Sequence, residues 1–194
     1  MVFSTPFLRK RSLPRLFVAV LLLLSACLAR ADSIFVQSVE LIPQGGDYYL
    51  NATFDIGLTP TAEEALNRGV ALHFVVEFAV IYPRWYTLYF WNKRLVDLQQ
   101  TYRLSYNALT RQYRLSYGVL HQTFDTLENA LSVLGGLSDQ PVFEAALLDE
   151  DRVYEAQLRM RLDTSKLPKP FQIDALGSDE WEVSSSWFRW TVER

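Results

Sequence analysis

The stretch from Asp47 to Ile56, DYYLNATFDI, constrains the fold more than any other part of the chain. Tyr48, Leu50, Ala52, Phe54 and Ile56 alternate with Tyr49, Asn51, Thr53 and Asp55, the period of two that buries one face of a strand and wets the other. A helix does not use that spacing, because its apolar positions recur every three or four residues. The segment therefore reads as a half-buried antiparallel strand. "IFVQSVEL" precedes it, and the turn Gln44-Gly45-Gly46-Asp47 supplies the glycines that a tight hairpin needs at positive φ. The first two strands are expected to pair.

The alternation recurs downstream. "VALHFVVEFAVIY" has large apolar residues at every even position from Leu72 to Tyr82, while His73, Val75, Glu77 and Ile81 stand at odd positions, so one face is core and the other only partly so. "TLYFWNK" follows Pro83 as a further strand. Tyr-Arg-Leu-Ser-Tyr then occurs twice, at 102–106 and 113–117. Both copies put Tyr, Leu and Tyr on one face and Arg and Ser on the other. A hairpin of two paired strands accounts for this, since the 20–50-residue period of a solenoid is absent.

Helix signals are few. "TPTAEEALNRG" carries Pro60 near a start, a Thr61-x-x-Glu64 capping box and Gly69 at the stop; "DTLENALSVLGG" has Asp125-x-x-Glu128, a stripe of Leu127, Ala130, Leu131 and Leu134, and Gly135-Gly136. "PVFEAALL", the acidic turn Asp149-Glu150-Asp151 and "VYEAQLRMRL" predict another hairpin, with Tyr154, Ala156, Leu158, Met160 and Leu162 inward. The closing "EWEVSSSWFRWTVE" alternates with a change of phase near Trp187-Phe188, which predicts a bulge. The fold expected is mainly β, an antiparallel two-sheet sandwich of immunoglobulin-like character with two short helices. An antiparallel β-barrel is the alternative. An outer-membrane barrel fits less well, because helices and short strands interrupt the lipid-facing pattern it requires.

The N-terminus has the layout of an export signal. Arg9, Lys10, Arg11 and Arg15 precede the apolar run Leu16–Leu24, and no acidic residue occurs before Asp32. The fourteen residues between Arg15 and Arg30 span about 21 Å as a helix against a hydrocarbon core of about 30 Å, which argues against an uncleaved membrane helix. Two processing sites compete here. Leu24-Ser25-Ala26-Cys27 reads as a lipobox that would lipidate Cys27; Ala29-Arg30-Ala31 reads as a signal-peptidase site with cleavage after Ala31. The strand beginning at Ile34 leaves no flexible linker beyond Cys27, which favours cleavage after Ala31 and a free periplasmic protein. The alternative is an outer-membrane lipoprotein anchored at Cys27 with a structural role.

On this reading residues 1–31 are a signal peptide and 32–194 a single β-rich domain. Loss of the signal removes Arg9, Lys10, Arg11, Arg15 and Arg30 and moves the formal charge from −3 to −8. Cys27 is the single cysteine, so the domain forms no internal disulfide and depends on packing. Charge is uneven along it. Between Tyr82 and Tyr117 stand Arg84, Lys93, Arg94, Arg103, Arg111 and Arg114 against Asp97 alone, a local +5 in an acidic protein.

That basic stretch is rich in aromatics. The candidate binding residues are Arg84, Trp85, Tyr86, Tyr89, Trp91, Arg103, Arg111 and Arg114, a set suited to charge, stacking and cation–π contact with an anionic or carbohydrate partner. An ordinary core with arginines snorkelling over it explains the same residues without a ligand. Catalysis has less support. His73 and Glu77 share a strand face four residues apart, about 13 Å between Cα atoms, too far to hold one metal ion. No nucleophile elbow, phosphate loop or zinc-protease helix occurs, and Asp149-Glu150-Asp151 lacks the spacing of a calcium loop. No catalytic residue, cofactor or metal is expected, and nucleic acid is excluded by compartment and charge.

The blocks "VELIPQGGDYYLNATFDIGLTPTAEEALNRGVALHFVVEF" and "YRLSYNALTRQYRLSYG" and the closing "SSSWFRW" resemble a family of exported Gram-negative proteins catalogued as domain of unknown function 4390. The resemblance covers essentially the whole of the chain after the signal. It implies an exported, β-rich protein, and carries over no catalytic residue. Relatives in that family are often encoded near a membrane sensor kinase, which implies envelope physiology. The function expected is that of a non-catalytic periplasmic binding or accessory protein, contacting an envelope protein, anionic lipid or glycan through residues 82–117. An enzyme acting on envelope polymers through strand-borne carboxylates is the alternative.

Overall fold

A computed structural model describes residues 33–82, 93–149 and 151–192. Cys27 and Ala31 lie outside the described residues, as do the candidates Arg84, Trp85, Tyr86, Tyr89 and Trp91 and most of the expected strand "TLYFWNK".

The predicted first hairpin forms. Strand β1 (Ile34–Gln44) pairs antiparallel with β2 (Asp47–Ile56), from Ile34 opposite Ile56 to Gln44 opposite Asp47, with a register shift between Val36 and Ser38. Gly45 and Gly46 close it at φ 64° and 97°, the left-handed pair that matches the twist of the two strands. The other side of β2 pairs with β7 (Gly136–Glu144), completing a three-stranded antiparallel sheet.

A second sheet has six strands in the order β6-β5-β4-β3-β8-β9, all antiparallel: Leu120–Phe124, Gln112–Tyr117, Lys93–Asn107, Leu72–Tyr82, Glu155–Leu162 and Phe188–Thr191. The two repeats fall on β4 and β5 and pair as a hairpin, Tyr102 opposite Tyr117 and Tyr106 opposite Tyr113. The first pair stacks at a ring distance of 5.0 Å and the second meets tilted at 4.8 Å.

The sheets pack face to face without closing into a barrel, so the chain is a mainly β, two-sheet sandwich. Leu50, Ala52 and Phe54 of β2, the even residues of β3, and Ala156, Leu158 and Met160 of β8 belong to one buried core. Phe78 stacks on Phe143 of β7 at 6.3 Å, joining the sheets through their middle. Burial of such large side chains supplies the stability that disulfides would provide in a smaller domain.

Helices cover what the small sheet leaves open. Helix α1 (Pro60–Asn67) starts at Thr59, whose Oγ1 accepts from the Ala62 N–H at 3.3 Å; the expected cap Thr61 instead donates to Glu180 Oε2 at 2.9 Å. Helix α2 (Leu127–Leu134) is capped by Thr126, one residue beyond the expected Asp125. A third helix, α3 (Lys169–Gly177), forms where the sequence predicted none. Pro170 lies in its first turn, where a missing N–H breaks no helical bond.

Two expectations about the C-terminal half are corrected. "PVFEAALL" and "VYEAQLRMRL" do not form a hairpin: β7 joins β2 in one sheet and β8 joins β3 in the other, with a 3-10 turn at Ala145–Leu147 in the connection. The closing segment is also not one bulged strand. It begins with a 3-10 turn at Asp179–Trp181, touches β8 through a single bridge at Ser184, and becomes strand β9 only at Phe188.

Candidate functional site

The even residues of β3 face the core, so its odd residues define the opposite, outer face of the six-stranded sheet. Register carries that face across the neighbours. His73 stands opposite Arg103, Glu77 opposite Gln99 and Arg159, Val75 opposite Arg161, and Ala79 opposite Asp97 and Gln157. On β5, Ser116 and Arg114 lie opposite Arg103 and Ser105, and on β6 His121 and Thr123 continue the rows. Arg94, Arg103, Arg114, Arg159, Arg161 and Arg189 thus share one face with Glu77, Asp97 and Glu155. The face has an excess of positive charge.

Glu77 is its centre. The residue is 7% exposed. Its Oε2 accepts from Arg159 Nε at 2.9 Å and its Oε1 from Arg161 Nε at 3.1 Å, while the Arg159 guanidinium stacks over the Trp187 ring at 4.4 Å. Burial pushes the Glu77 carboxyl up, but the hydrogen bonds and charges of the two arginines outweigh it and hold the group below the usual carboxylate range. Glu77 is a counter-ion with no proton to donate at neutral pH.

The other acidic members are held too. Asp97 pairs with Arg94 at 2.9 Å and Glu155 with Arg189 at 3.9 Å. Arg103 and Arg114 differ: both are exposed, and among the described residues neither has a carboxylate within ion-pairing distance. Next to Arg103, His73 has its Nδ1 buried without a hydrogen-bond partner. Burial first, then Arg103 and Lys166, lower its pKa, against an opposing pull from Asp163. The imidazole is favoured as the neutral form.

Of the eight candidates from the sequence, the structure puts Arg103 and Arg114 on one face and Arg111 in the β4–β5 turn, at φ 56°. Arg84, Trp85, Tyr86, Tyr89 and Trp91 fall outside the described residues. Arg159, Arg161, Arg189 and Trp187 were not among the candidates. The signal for two of them was the alternation Arg159-Met160-Arg161, which turns both guanidiniums away from a buried Met160.

Residues 31–191 match the family model described as Domain of unknown function (DUF4390). The chain belongs to this family. No curated protein and no solved structure matches the DUF4390 chain. Among its described residues no three His, Cys, Asp or Glu side chains gather as a metal site, and no helix is long and apolar enough to cross a membrane. In the acidic turn Asp149 pairs with Arg152 at 3.1 Å, and the Arg152 guanidinium lies 5.2 Å from the Tyr82 ring.

A cleft of 540 Å³ between α1 and α3 is bordered by Thr61, Glu64, Arg68, Asp174 and Trp181. Glu64 there is tied to Arg68, and Thr61 is tied to Glu180.

Proposed function

We propose that this chain is an exported, non-catalytic binding or accessory protein of the Gram-negative cell envelope, and that it meets an anionic envelope component on the outer face of the six-stranded sheet. The observation that carries this reading is the contrast among arginines on that face. Arg94, Arg159, Arg161 and Arg189 have carboxylate partners, whereas exposed Arg103 and Arg114 have none among the described residues. Two guanidiniums without counter-charges fit an anion supplied from outside, be it an acidic protein surface, a lipid head group or a charged glycan. The Glu77 cluster stiffens the sheet beside them. Arg84, Trp85, Tyr86, Tyr89 and Trp91, in the chain between β3 and β4, belong to the same proposed contact.

Processing sets whether the protein is free or tethered. Cleavage after Ala31 is favoured, because β1 starts at Ile34 and leaves no tether beyond Cys27. Palmitate labelling of the wild type and of Cys27→Ser tests it: no label is expected, and label lost in the variant would make the chain a lipoprotein.

The binding proposal is tested by capture of envelope components on wild type and on Arg103→Glu/Arg114→Glu, with mass spectrometry at low and high salt. Partners retained by the wild type at low salt are expected to be lost by the variant. An unchanged set with unchanged salt dependence would make the two arginines bystanders.

A further inference from the structure

Three of the four sheet edges are protected against pairing with another chain. β1 has a register shift at Val36–Ser38 and Pro43 near its end; β7 has register shifts, Asp139 at φ 52° and Pro141; β9 is four residues long and carries Arg189. Bulges, prolines, brevity and charge are the means by which exposed edges are kept from adding strands. β6, five residues long, lacks the bulge, the proline and the charge. Leu120-His121-Gln122-Thr123-Phe124 contains no charged residue, no proline and no bulge, and its first four residues are exposed. Among the described residues no strand pairs with its outer side.

Its hydrogen-bonding groups follow from the turn. Gly118, at φ 55°, and Val119 form a two-residue loop that makes Tyr117 and Leu120 the closing hydrogen-bonded pair. Alternation then turns the N–H and C=O of Leu120, Gln122 and Phe124 toward β5, and those of His121 and Thr123 outward.

We infer that β6 is a self-association edge, and that it pairs antiparallel with β6 of a second copy about a two-fold axis at Gln122. That register exchanges hydrogen bonds between His121 and Thr123 of the two copies. It sets each Leu120, 69% exposed in the single chain, across from Phe124 of the other copy on the core-facing side. No like charges oppose one another across the seam, which is what makes a second copy fit this strand. The nearest cations, the two Arg114 side chains, stand three strand spacings apart, about 14 Å, beyond the screening length at physiological salt. Because the axis is perpendicular to the sheet, both basic faces point the same way. A polyanionic partner would meet four unpaired arginines where one chain offers two.

Cysteine cross-linking in cells expressing the full-length chain tests this. At a non-hydrogen-bonded antiparallel position the Cα atoms are about 4.5 Å apart, within disulfide range. In a Cys27→Ser background, Gln122→Cys treated with copper–phenanthroline in air, where oxygen takes up the two electrons and two protons released, is expected to give a disulfide-linked homodimer. Leu109→Cys, in the loop between β4 and β5 and 95% exposed, reports random collision and is expected to give at least tenfold less. Adding Thr123→Pro removes an outward N–H without touching the β5 ladder, and adding Leu120→Lys charges an exposed position. Each is expected to cut the cross-link at least tenfold. Equal cross-linking from Leu109→Cys, a Gln122→Cys disulfide to a different protein or none at all, or insensitivity to both added substitutions would overturn the proposal.

Discussion

Glu77 neutralises two guanidiniums with one carboxylate, so its removal leaves both arginines without a counter-charge on a partly buried face. The Arg159 and Arg161 side chains are 29% and 33% exposed, so the cost falls below the 3–5 kcal/mol of a fully buried pair; Glu77→Gln is expected to lose about 2–3 kcal/mol in urea unfolding. The sign with pH is fixed by the direction of the shift. A carboxyl held below its ordinary value of 4.5 contributes stability that is complete above that value and lost as pH falls through the folded one. The stability of Glu77→Gln should therefore fall less steeply below pH 4.5 than that of the wild type. His73 acts in a separate window. Its folded pKa lies below 6.5, so under pH 6.5 the unfolded chain binds the proton first and folding weakens, by at most about 1.4 kcal/mol per pH unit for one group. His73→Gln should flatten the stability profile between pH 6.5 and 5, read from urea midpoints across that range. Arg103, Lys166 and Asp163, the charged groups around the imidazole, remain in place in that variant.

Elements are positioned by backbone as much as by side-chain pattern, and Gly135 shows how. The sequence marks it as a helix stop, and α2 does end there, but Gly135 adopts a right-handed conformation at φ −74°. Its need for glycine is a close approach: a Cβ would collide with the Phe54 carbonyl oxygen, and the Phe54 N–H already donates to the Gly135 carbonyl at 2.8 Å. Gly135→Ala is expected to cost about 2–4 kcal/mol, because backbone on both sides has to move. Gly136→Ala, whose nearest neighbours would be 3.8 Å away, should be mild, and the two urea midpoints separate these outcomes. The β4–β5 hairpin and its faces were legible, since both copies of Tyr-Arg-Leu-Ser-Tyr alternate alike, while the register, Tyr102 opposite Tyr117, came from the structure. Helix α3 was not. Ile173 and Leu176 are 70% and 90% exposed, and only Phe171 and Ala175 pack against the core, both partly buried, too short a stripe for periodicity to reveal.

At the scale of the molecule, alternation identifies strands and their faces but says nothing about which strands are neighbours. β7 and β8 both alternate and are consecutive, yet they belong to different sheets. The site was half legible for the same reason. Arg103 and Arg114 lie on strands joined by a short hairpin, whereas Arg159 and Arg161 reach the same face only because β8 pairs with β3 across some eighty residues of chain. Strand order, in turn, makes the charge distribution one-sided: a protein of formal charge −3, or −8 without residues 1–31, gathers six arginines on one outer face. Net charge alone predicts that such a protein flows through a sulfonate cation-exchange resin at pH 7. A field concentrated on one face predicts retention at low salt through that face, because the resin meets local potential before net charge. Wild type is expected to be retained at about 20 mM salt and released by about 200 mM, where the screening length falls below 10 Å. Arg103→Glu/Arg114→Glu should flow through, while Arg68→Glu/Arg152→Glu, the same change of charge at arginines already paired to Glu64 and Asp149, should elute close to the wild type. Equal elution of the two variants would mean that net charge governs the interaction and that the face has no separate electrostatic identity.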